Sequence, residues 1–330
     1  MQPSHTGRGD YMTIRNSRFD SVCIKATGSY VPDKILTNEE IVGDLPTSAE
    51  WVVETLGIRQ RHIAQPEECT SDLAACAGLK AIAAAGLEPN EIDLIILATA
   101  TPDRKAPSSA CIAQRKMGVR NGCPAFDVSA VCSGFLYGMT IAGQFIQNGV
   151  YDHVLVIGAD TFSKVTNWNH RNCVFFGDGS GAVVLGRSHR DNGLFSSILF
   201  ADGEGMDDFT IFPADAYFTM NGRAVYEKAT AALPESIQQI LCVNRLRLED
   251  ISMIIPHQAS THVLKRAAEI LGVPYSRIQT NLDLYGNTAS ASIPLLLDQV
   301  NRRGLIHKDD LLLFAAVGDG WTWGATLYRW

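Results

Sequence analysis

The chain has 330 residues, 46% hydrophobic and only 19% charged, enough apolar side chains for a well-buried core and more chain than one typical domain needs. Twenty-eight Lys and Arg against 35 Asp and Glu leave a net charge of −7, which argues against a nucleic-acid backbone as the main partner. No apolar run approaches the roughly 18 to 20 residues of a membrane span, and the polar start lacks the apolar core of a signal peptide; a cytoplasmic protein is expected, with no membrane or nucleic-acid partner.

Residues 1–20 read as a polar N-terminal extension. Beyond them "SDLAACAGLKAIAAAGL" carries apolar residues at helical spacing, and "IDLIILATA" is a short apolar run suited to a buried strand. This alternation predicts an α/β fold. "CPAFDV" reads as a further strand and "SGFLYGMTIAGQFIQNG" as a helix, so Cys132, in "DVSAVCSGF", falls at a strand-to-helix turn. A polar turn, "RSHRDNG", marks a boundary near residue 190. After it the pattern repeats: "AVYEKATAALPESIQQIL" leads through "LRLEDISMII" much as the earlier helix leads through "LEPNEIDLII". "FGDGSGAVVL" (176–185) is likewise echoed by "VGDGWTWGATL" (317–327). Two echoes in one order predict duplicated halves, 21–190 and 191–330.

Eight cysteines without a C-x-x-C pair do not suggest a disulfide framework or a metal site. Cys23, Cys76, Cys111, Cys173 and Cys242 lie among apolar residues, and most of them are expected in the core. His257 and His262 lack the i, i+4 spacing of a helical zinc pair, so no metal is expected. Nor is a tightly bound cofactor. "GDGSGAVVL" runs from a glycine turn into a strand, whereas a dinucleotide fingerprint opens a helix.

Cys132 is the first chemical candidate. A thiol at a helix N-terminus feels the positive end of the macrodipole, which favours the thiolate, and Ala130, Ser133 and Gly134 keep bulk away. On these local features a nucleophile and a buried structural cysteine both stay open. The second candidate is His257 in "MIIPHQAS", where a strand ends in polar residues. The third is Asn287, in "YGNTASASIP", ahead of small residues that open a helix.

Together these segments resemble the β-ketoacyl-ACP synthase III family of the thiolase-like superfamily, from about Val22 to Trp330. "TGSYVPDKILTNEEI", "GIRQRHI", "CPAFDVSAVCSGF", "FGDGSGAVVL", "PHQAS", "YGNTASASIP" and "GWTWGATL" occur in the family's order. The resemblance implies a five-layer α-β-α-β-α fold, a homodimer and an acyltransferase. Cys132 would take an acyl group from a thioester, usually acyl-CoA, and the acyl-enzyme would condense with malonyl-ACP or malonyl-CoA as carbon dioxide leaves. This would serve fatty-acid initiation or a specialised pathway. The alternative is acyl transfer without carbon-carbon bond formation. His257 and Asn287 match the pair that hydrogen-bonds the malonyl thioester oxygen. The backbone N–H groups of Cys132 and Asp319 match the oxyanion hole, although glycine is usual at 319; the Asp319 side chain is expected to face away or to bind a neighbouring donor.

The resemblance also places Trp51 against the CoA adenine. The usual arginine four residues later is Thr55, and the second stacking arginine aligns with His170, beside Arg171. Ser260 and His262 replace an asparagine and an arginine. Ala106 stands where a bulky aromatic often closes the partner subunit's acyl pocket, with Met117 or Trp321 as possible fillers of the space. Lys265 and Arg266 are candidates for docking the acidic acyl carrier protein, or are ordinary solvated helix charges.

Overall fold

The computed structural model describes residues 17–19, 22–188, 195–212 and 216–330. Most of the expected N-terminal extension (1–16 and 20) and most of the expected boundary turn (189–193) lie outside the described residues. In chain order the strands are β1 (Ser17–Phe19), β2 (Val22–Tyr30), β3 (Lys34–Thr37), β4 (Gln60–Ile63), β5 (Leu94–Ala98), β6 (Ala125–Val128), β7 (His153–Asp160), β8 (Gly179–Arg187), β9 (Phe195–Ala201), β10 (Phe209–Thr210), β11 (Thr219–Met220), β12 (Met253–Pro256), β13 (Leu311–Gly318) and β14 (Thr322–Arg329). The helices are α1 (Asn38–Val42), α2 (Ala49–Trp51), α3 (Thr70–Ala84), α4 (Ser109–Met117), α5 (Gly134–Gln147), α6 (Gly222–Asn244), α7 (Thr261–Leu271), α8 (Leu282–Tyr285) and α9 (Ser292–Arg302).

Two five-stranded sheets, β2-β8-β7-β5-β6 and β1-β9-β14-β13-β12, carry the fold. In the first, β5 runs parallel to β7, while β7–β8 and β8–β2 are antiparallel. In the second, β12 runs parallel to β13, while β13–β14 and β14–β9 are antiparallel. The series β2-α3-β5-α5-β7-β8 is therefore repeated as β9-α6-β12-α9-β13-β14, which is the duplication the two sequence echoes predict. β1, from the stretch read as an extension, adds to the edge of the second sheet by pairing with β9.

Strand alternation explains the layering, because successive side chains leave a strand on opposite faces. Leu94, Ile96, Val154 and Val156 face inward, where they meet α5, α9 and the inward residues Leu312 and Phe314 of the second sheet. Ile95, Leu97, Leu155 and Ile157 point the other way and pack under α3 and α4. Leu311, Leu313 and Ala315 do the same under α6 and α7. The order is helix, sheet, helix pair, sheet, helix, the predicted five layers. The central helices are buried on two sides, which is why α5 needs Gly138 and Gly143. A Cβ there would come within 3.0 Å of Val156 Cγ1 and 2.9 Å of Phe19 Cε1, respectively.

The cysteine expectation fails in part. No disulfide joins any of the eight among the described residues, and of the five that the sequence places mostly in the core only Cys173 is buried; Cys23 and Cys76 are half-buried, and Cys111 and Cys242 are exposed. Apolar sequence neighbours do not place a helical residue on the apolar face. Cys111 (α4) and Cys242 (α6) sit on outer helices whose sheet-facing stripe is supplied by Ala110, Ala113 and Met117, and by Ile237, Ile240 and Leu241.

Candidate active site

Each half presents one tight turn to the space between the sheets. After β6 the chain enters a 3₁₀ turn, Val131–Ser133, and α5 starts at Gly134. Val131 adopts φ 43°, a left-handed conformation rare for a β-branched residue. Such strain persists only where the surroundings over-determine it. Here Ser133 Oγ lies 2.9 Å from Ala130 O and 2.8 Å from Thr322 Oγ1, tying the turn to β14. Gly134 allows the close approach, since a Cβ there would lie 3.0 Å from that of Ala98. The second half copies this device. Ala289 has φ 48°, opens the 3₁₀ turn Ala289–Ala291 and precedes α9.

Cys132, His257 and Asn287 line one cavity of about 230 Å³ together with Asp319. The three sequence candidates, distant along the chain, therefore meet. Asn287 is fixed by its backbone, with its N–H donating to Phe175 O at 3.0 Å and its carbonyl accepting from Gly177 N at 3.1 Å. Its Oδ1 accepts from Ala289 N at 2.9 Å, which commits the oxygen and leaves the amide nitrogen as the donor. His257 follows β12, and its N–H donates to Ala315 O at 2.8 Å. Its Nδ1 lies 3.1 Å from Ser292 Oγ. Burial pushes the imidazole down to about 3, against a backbone hydrogen bond with Ala289, so the ring is neutral at physiological pH. In the tautomer in which the Ser292 hydroxyl donates to Nδ1, the ring proton sits on Nε2. In that tautomer two neutral donors, Asn287 Nδ2 and His257 Nε2, face an oxygen that gains charge.

Ser292 was not singled out by the sequence, where it is one small residue in "TASASIP". Ser292→Ala should lower any step that needs the Nε2 proton about tenfold, the effect of roughly 1.4 kcal/mol of lost alignment, and leave thiol acylation near the wild-type rate. Parallel single-turnover measurements of the two steps check this; equal loss in both would mean that Ser292 only holds the fold.

Two expectations about charge are overturned. The helix N-terminus does not make Cys132 an easily ionised thiol in the free cavity. Burial, then the charges of Asp319 and Asp160, raise its pKa well above the ordinary thiol value, because removing a sulfur from water outweighs a half-charge dipole. Asp319 does not face away, and its carboxylate accepts from its own backbone N–H rather than from a neighbouring residue. It lines the cavity, and its Oδ1 is buried with no hydrogen-bond partner among the described residues, although the residue as a whole is half-buried. Burial, then the nearby Asp208, push it up to about 7.

An aromatic wall bounds one side of the cavity. Phe162 stacks on Phe176 with centroids 4.3 Å apart, and Phe209 and Met220 continue the lining. Sequence reading missed these residues, since no periodicity links positions brought together from four segments. Trp51, Thr55, Ser260 and His262 also line the cavity. Ser260 caps α7 by accepting from Val263 N at 3.3 Å. Of the two arginine-site candidates it is Arg171 whose guanidinium lies 5.2 Å from the Trp51 ring centre. His170 instead accepts from Asn172 N and lines a separate surface pocket. Ala106 is exposed, Met117 packs in the core under α3, and Trp321 borders the cavity. Lys265 and Arg266 are exposed on α7; Arg266 pairs with Glu269 at 3.0 Å, and Lys265 lies 5.9 Å from the Tyr275 ring centre.

A buried cysteine on a strained turn between duplicated α/β halves, faced by two neutral hydrogen-bond donors, defines the class: a cysteine-dependent condensing site of the thiolase-like kind. Residues 126–203 match the family model for 3-oxoacyl-[acyl-carrier-protein] synthase III, and residues 241–330 match that family's C-terminal model. A β-ketoacyl-[acyl-carrier-protein] synthase III of Caldanaerobacter subterraneus is 43% identical over 323 residues, covering 93% of this chain and 97% of the relative. One from Geobacillus kaustophilus is 44% identical over 308 residues, covering 93% and 98%. The crystal structure of 3-oxoacyl-[acyl-carrier-protein] synthase III from Aquifex aeolicus superposes with a TM-score of 0.90 at 39% identity, covering 94% of this chain and all of the other. The chain belongs to the β-ketoacyl-ACP synthase III family of condensing acyltransferases. Acyl transfer without carbon-carbon bond formation is not favoured by these relatives. No helix among the described residues is long and apolar enough to cross a membrane.

Proposed function

We propose that the chain joins an acyl group to a malonyl unit in two half-reactions centred on Cys132. The observation that carries this reading is the meeting of Cys132, His257 and Asn287 in one cavity, with the imidazole neutral and the Asn287 oxygen committed to Ala289 N–H. In the first half-reaction Cys132 Sγ attacks an acyl thioester. The backbone N–H groups of Cys132 and Asp319 are the oxyanion donors in this reading. Close packing of the two loops supports it, since a Cβ on Gly318 would lie 3.0 Å from Cys132 N. In the second, malonyl-ACP loses carbon dioxide, and the resulting enolate oxygen is held by His257 Nε2 and Asn287 Nδ2 until its carbon attacks the acyl-cysteine.

The half at 21–190 then supplies the nucleophile and that at 191–330 the enolate donors. Trp51 with Arg171, in cation-π contact, supports acyl-CoA as the first donor, the adenine inserting at that pair. Thr55, Ser260 and His262 border the same entrance, and His170 flanks it. Acyl carrier protein docks near Lys265 and Arg266. A homodimer is supported by β6, whose outer edge has no strand partner among the described residues. Incubating the protein with acetyl- or octanoyl-CoA and malonyl-ACP, and weighing the carrier protein afterwards, tests the reading. A β-ketoacyl-ACP two carbons longer than the primer acyl group is expected; unchanged malonyl-ACP would overturn it.

Primer length follows from Ala106 if it meets the partner's acyl pocket. A missing ring leaves space in which each methylene gains about 0.8 kcal/mol of burial. Wild type should therefore load octanoyl or branched acyl groups at least as well as acetyl, and Ala106→Phe should shift preference toward acetyl. A wild type strongly selective for acetyl, or a variant without that shift, would remove Ala106 from the pocket.

A further inference from the structure

The duplicated GDG turns provide an internal comparison. In the first, Asp178 is fully used: it accepts from Ala64 N at 2.7 Å, from Ser163 N at 2.9 Å and from Ser163 Oγ. In the second, Asp319 occupies the equivalent position before β14, yet its carboxylate accepts only from its own backbone, its Oδ1 is buried with no hydrogen-bond partner among the described residues, and the residue borders the cavity that holds Cys132. A buried acceptor without a partner costs on the order of 1–3 kcal/mol, so Asp319 lacks the structural justification that Asp178 has.

Besides Asp319, the described residues that line the cavity include two imidazoles as candidate bases, His257 and His262, the latter exposed on α7. His257 is held neutral by burial with a pKa of about 3 and is too weak a base for a thiol proton. Asp160 lies below the turn, with Oδ1 against Thr99, Ala100 and Thr101 and Oδ2 against Ser290. Asp208, on the loop before β10, accepts from Trp321 Nε1 at 3.1 Å. On α6, Lys228 is taken up by Asp202 at 2.9 Å. Asp208 is thus the charged neighbour that acts on Asp319, and Asp319 in turn acts on Cys132, while His257 shares the cavity.

We propose that Asp319 is the base that receives the Cys132 thiol proton during acyl loading, directly or through one solvent molecule, so that the two side chains share a single proton. This rests on the acyl-transfer reading above. The Sγ proton passes to the carboxylate; the sulfur bonds to the acyl carbonyl carbon; the donor's carbon-sulfur bond breaks; and the departing thiolate takes the proton from Asp319. The single negative charge passes from the carboxylate to the sulfur, from the sulfur to the carbonyl oxygen as the bond forms, then to the departing thiolate, and returns to Asp319 when that thiolate takes the proton. While the oxyanion stands beside it the carboxyl is neutral, which removes the repulsion that an ionised carboxylate would exert there. A carboxyl raised to about 7 suits a base working at neutral pH.

Iodoacetamide alkylation of Cys132, followed by intact mass from pH 5.5 to 9.5 alongside single-turnover loading from octanoyl-CoA, tests the proposal. Wild type should show a rate rising through a limb near pH 7. Asp319→Asn and Asp319→Gly should react roughly tenfold more slowly at pH 7, with the limb at least one unit higher, and Asp319→Glu should retain the wild-type limb within a unit. Removing the carboxyl by either route with no shift of the limb, or with faster alkylation at pH 7, would overturn it. Because alkylation needs no acyl donor, a wild type with the expected limb that loads no thioester would contradict the acyl-transfer reading and leave the proton-sharing pair in place.

Discussion

Asn287→Ala should load acyl groups onto Cys132 at a measurable rate yet form product about 100- to 1000-fold more slowly than wild type, the loss that follows removal of one donor to a developing oxyanion. The prediction comes from the division of labour in the cavity. Asn287 Oδ1 is already committed to Ala289 N–H, so truncation removes the nitrogen donor and leaves the sulfur nucleophile untouched. His257→Ala should behave alike. Its neutral ring serves as a donor, so its loss weakens the charge-developing step while thiol acylation persists. Separate assays for thioester exchange and for carbon dioxide release check both variants. Normal product formation by Asn287→Ala would remove the amide from the mechanism.

A second large effect is expected at a residue that does not line the cavity. Asp160, at the end of β7, is fully buried. Its Oδ1 lies within bonding range of Thr99 Oγ1, Ala100 N, Thr101 N and Thr101 Oγ1, and its Oδ2 of Ser290 N and Oγ. One carboxyl therefore joins the ends of β5 and β7 to the turn that carries Asn287. The backbones there are too close for any replacement contact: a Cβ on Gly158 would lie 2.2 Å from Ser290 O. Asp160→Ala strands these donors without water and should destabilise by about 3–5 kcal/mol, a fall in thermal midpoint of roughly 4–7 °C for a chain of this length. Asp160→Asn keeps one acceptor oxygen and should lose about half as much. Differential scanning calorimetry of the three proteins measures this. A shift below about 1 kcal/mol for the alanine variant would mean that the halves are held by apolar packing alone.

The features legible in the sequence are those set by local pattern. The alternation of "SDLAACAGLKAIAAAGL" with "IDLIILATA" specifies α3 and β5, and the two GDG turns specify β8 and β14, because periodicity and glycine turns act over a few residues. Cys132, His257 and Asn287 were legible because each ends a strand or opens a helix. The rest depends on what tertiary contacts bring together. Nothing in "DTF", "VFF" or "DDF" announces that Phe162, Phe176 and Phe209 share one wall. Asp178 and Asp319 stand in the same three-residue motif, yet one is fully bonded and the other is not, since the donors come from Ala64 and Ser163 at the first site and have no counterpart at the second. The thiolate expectation at Cys132 failed for a related reason, because burial, which outweighs the dipole there, is a property of the whole fold.

The most direct test of the central claim is peptide mapping of the protein quenched after incubation with acyl-CoA alone and after a chase with malonyl-ACP. The account predicts an acyl adduct on the peptide containing Cys132, absent from Cys132→Ser and discharged by the chase as β-ketoacyl-ACP appears. Product formation by Cys132→Ser, or an adduct that forms on another residue and is discharged with the same kinetics, would contradict it.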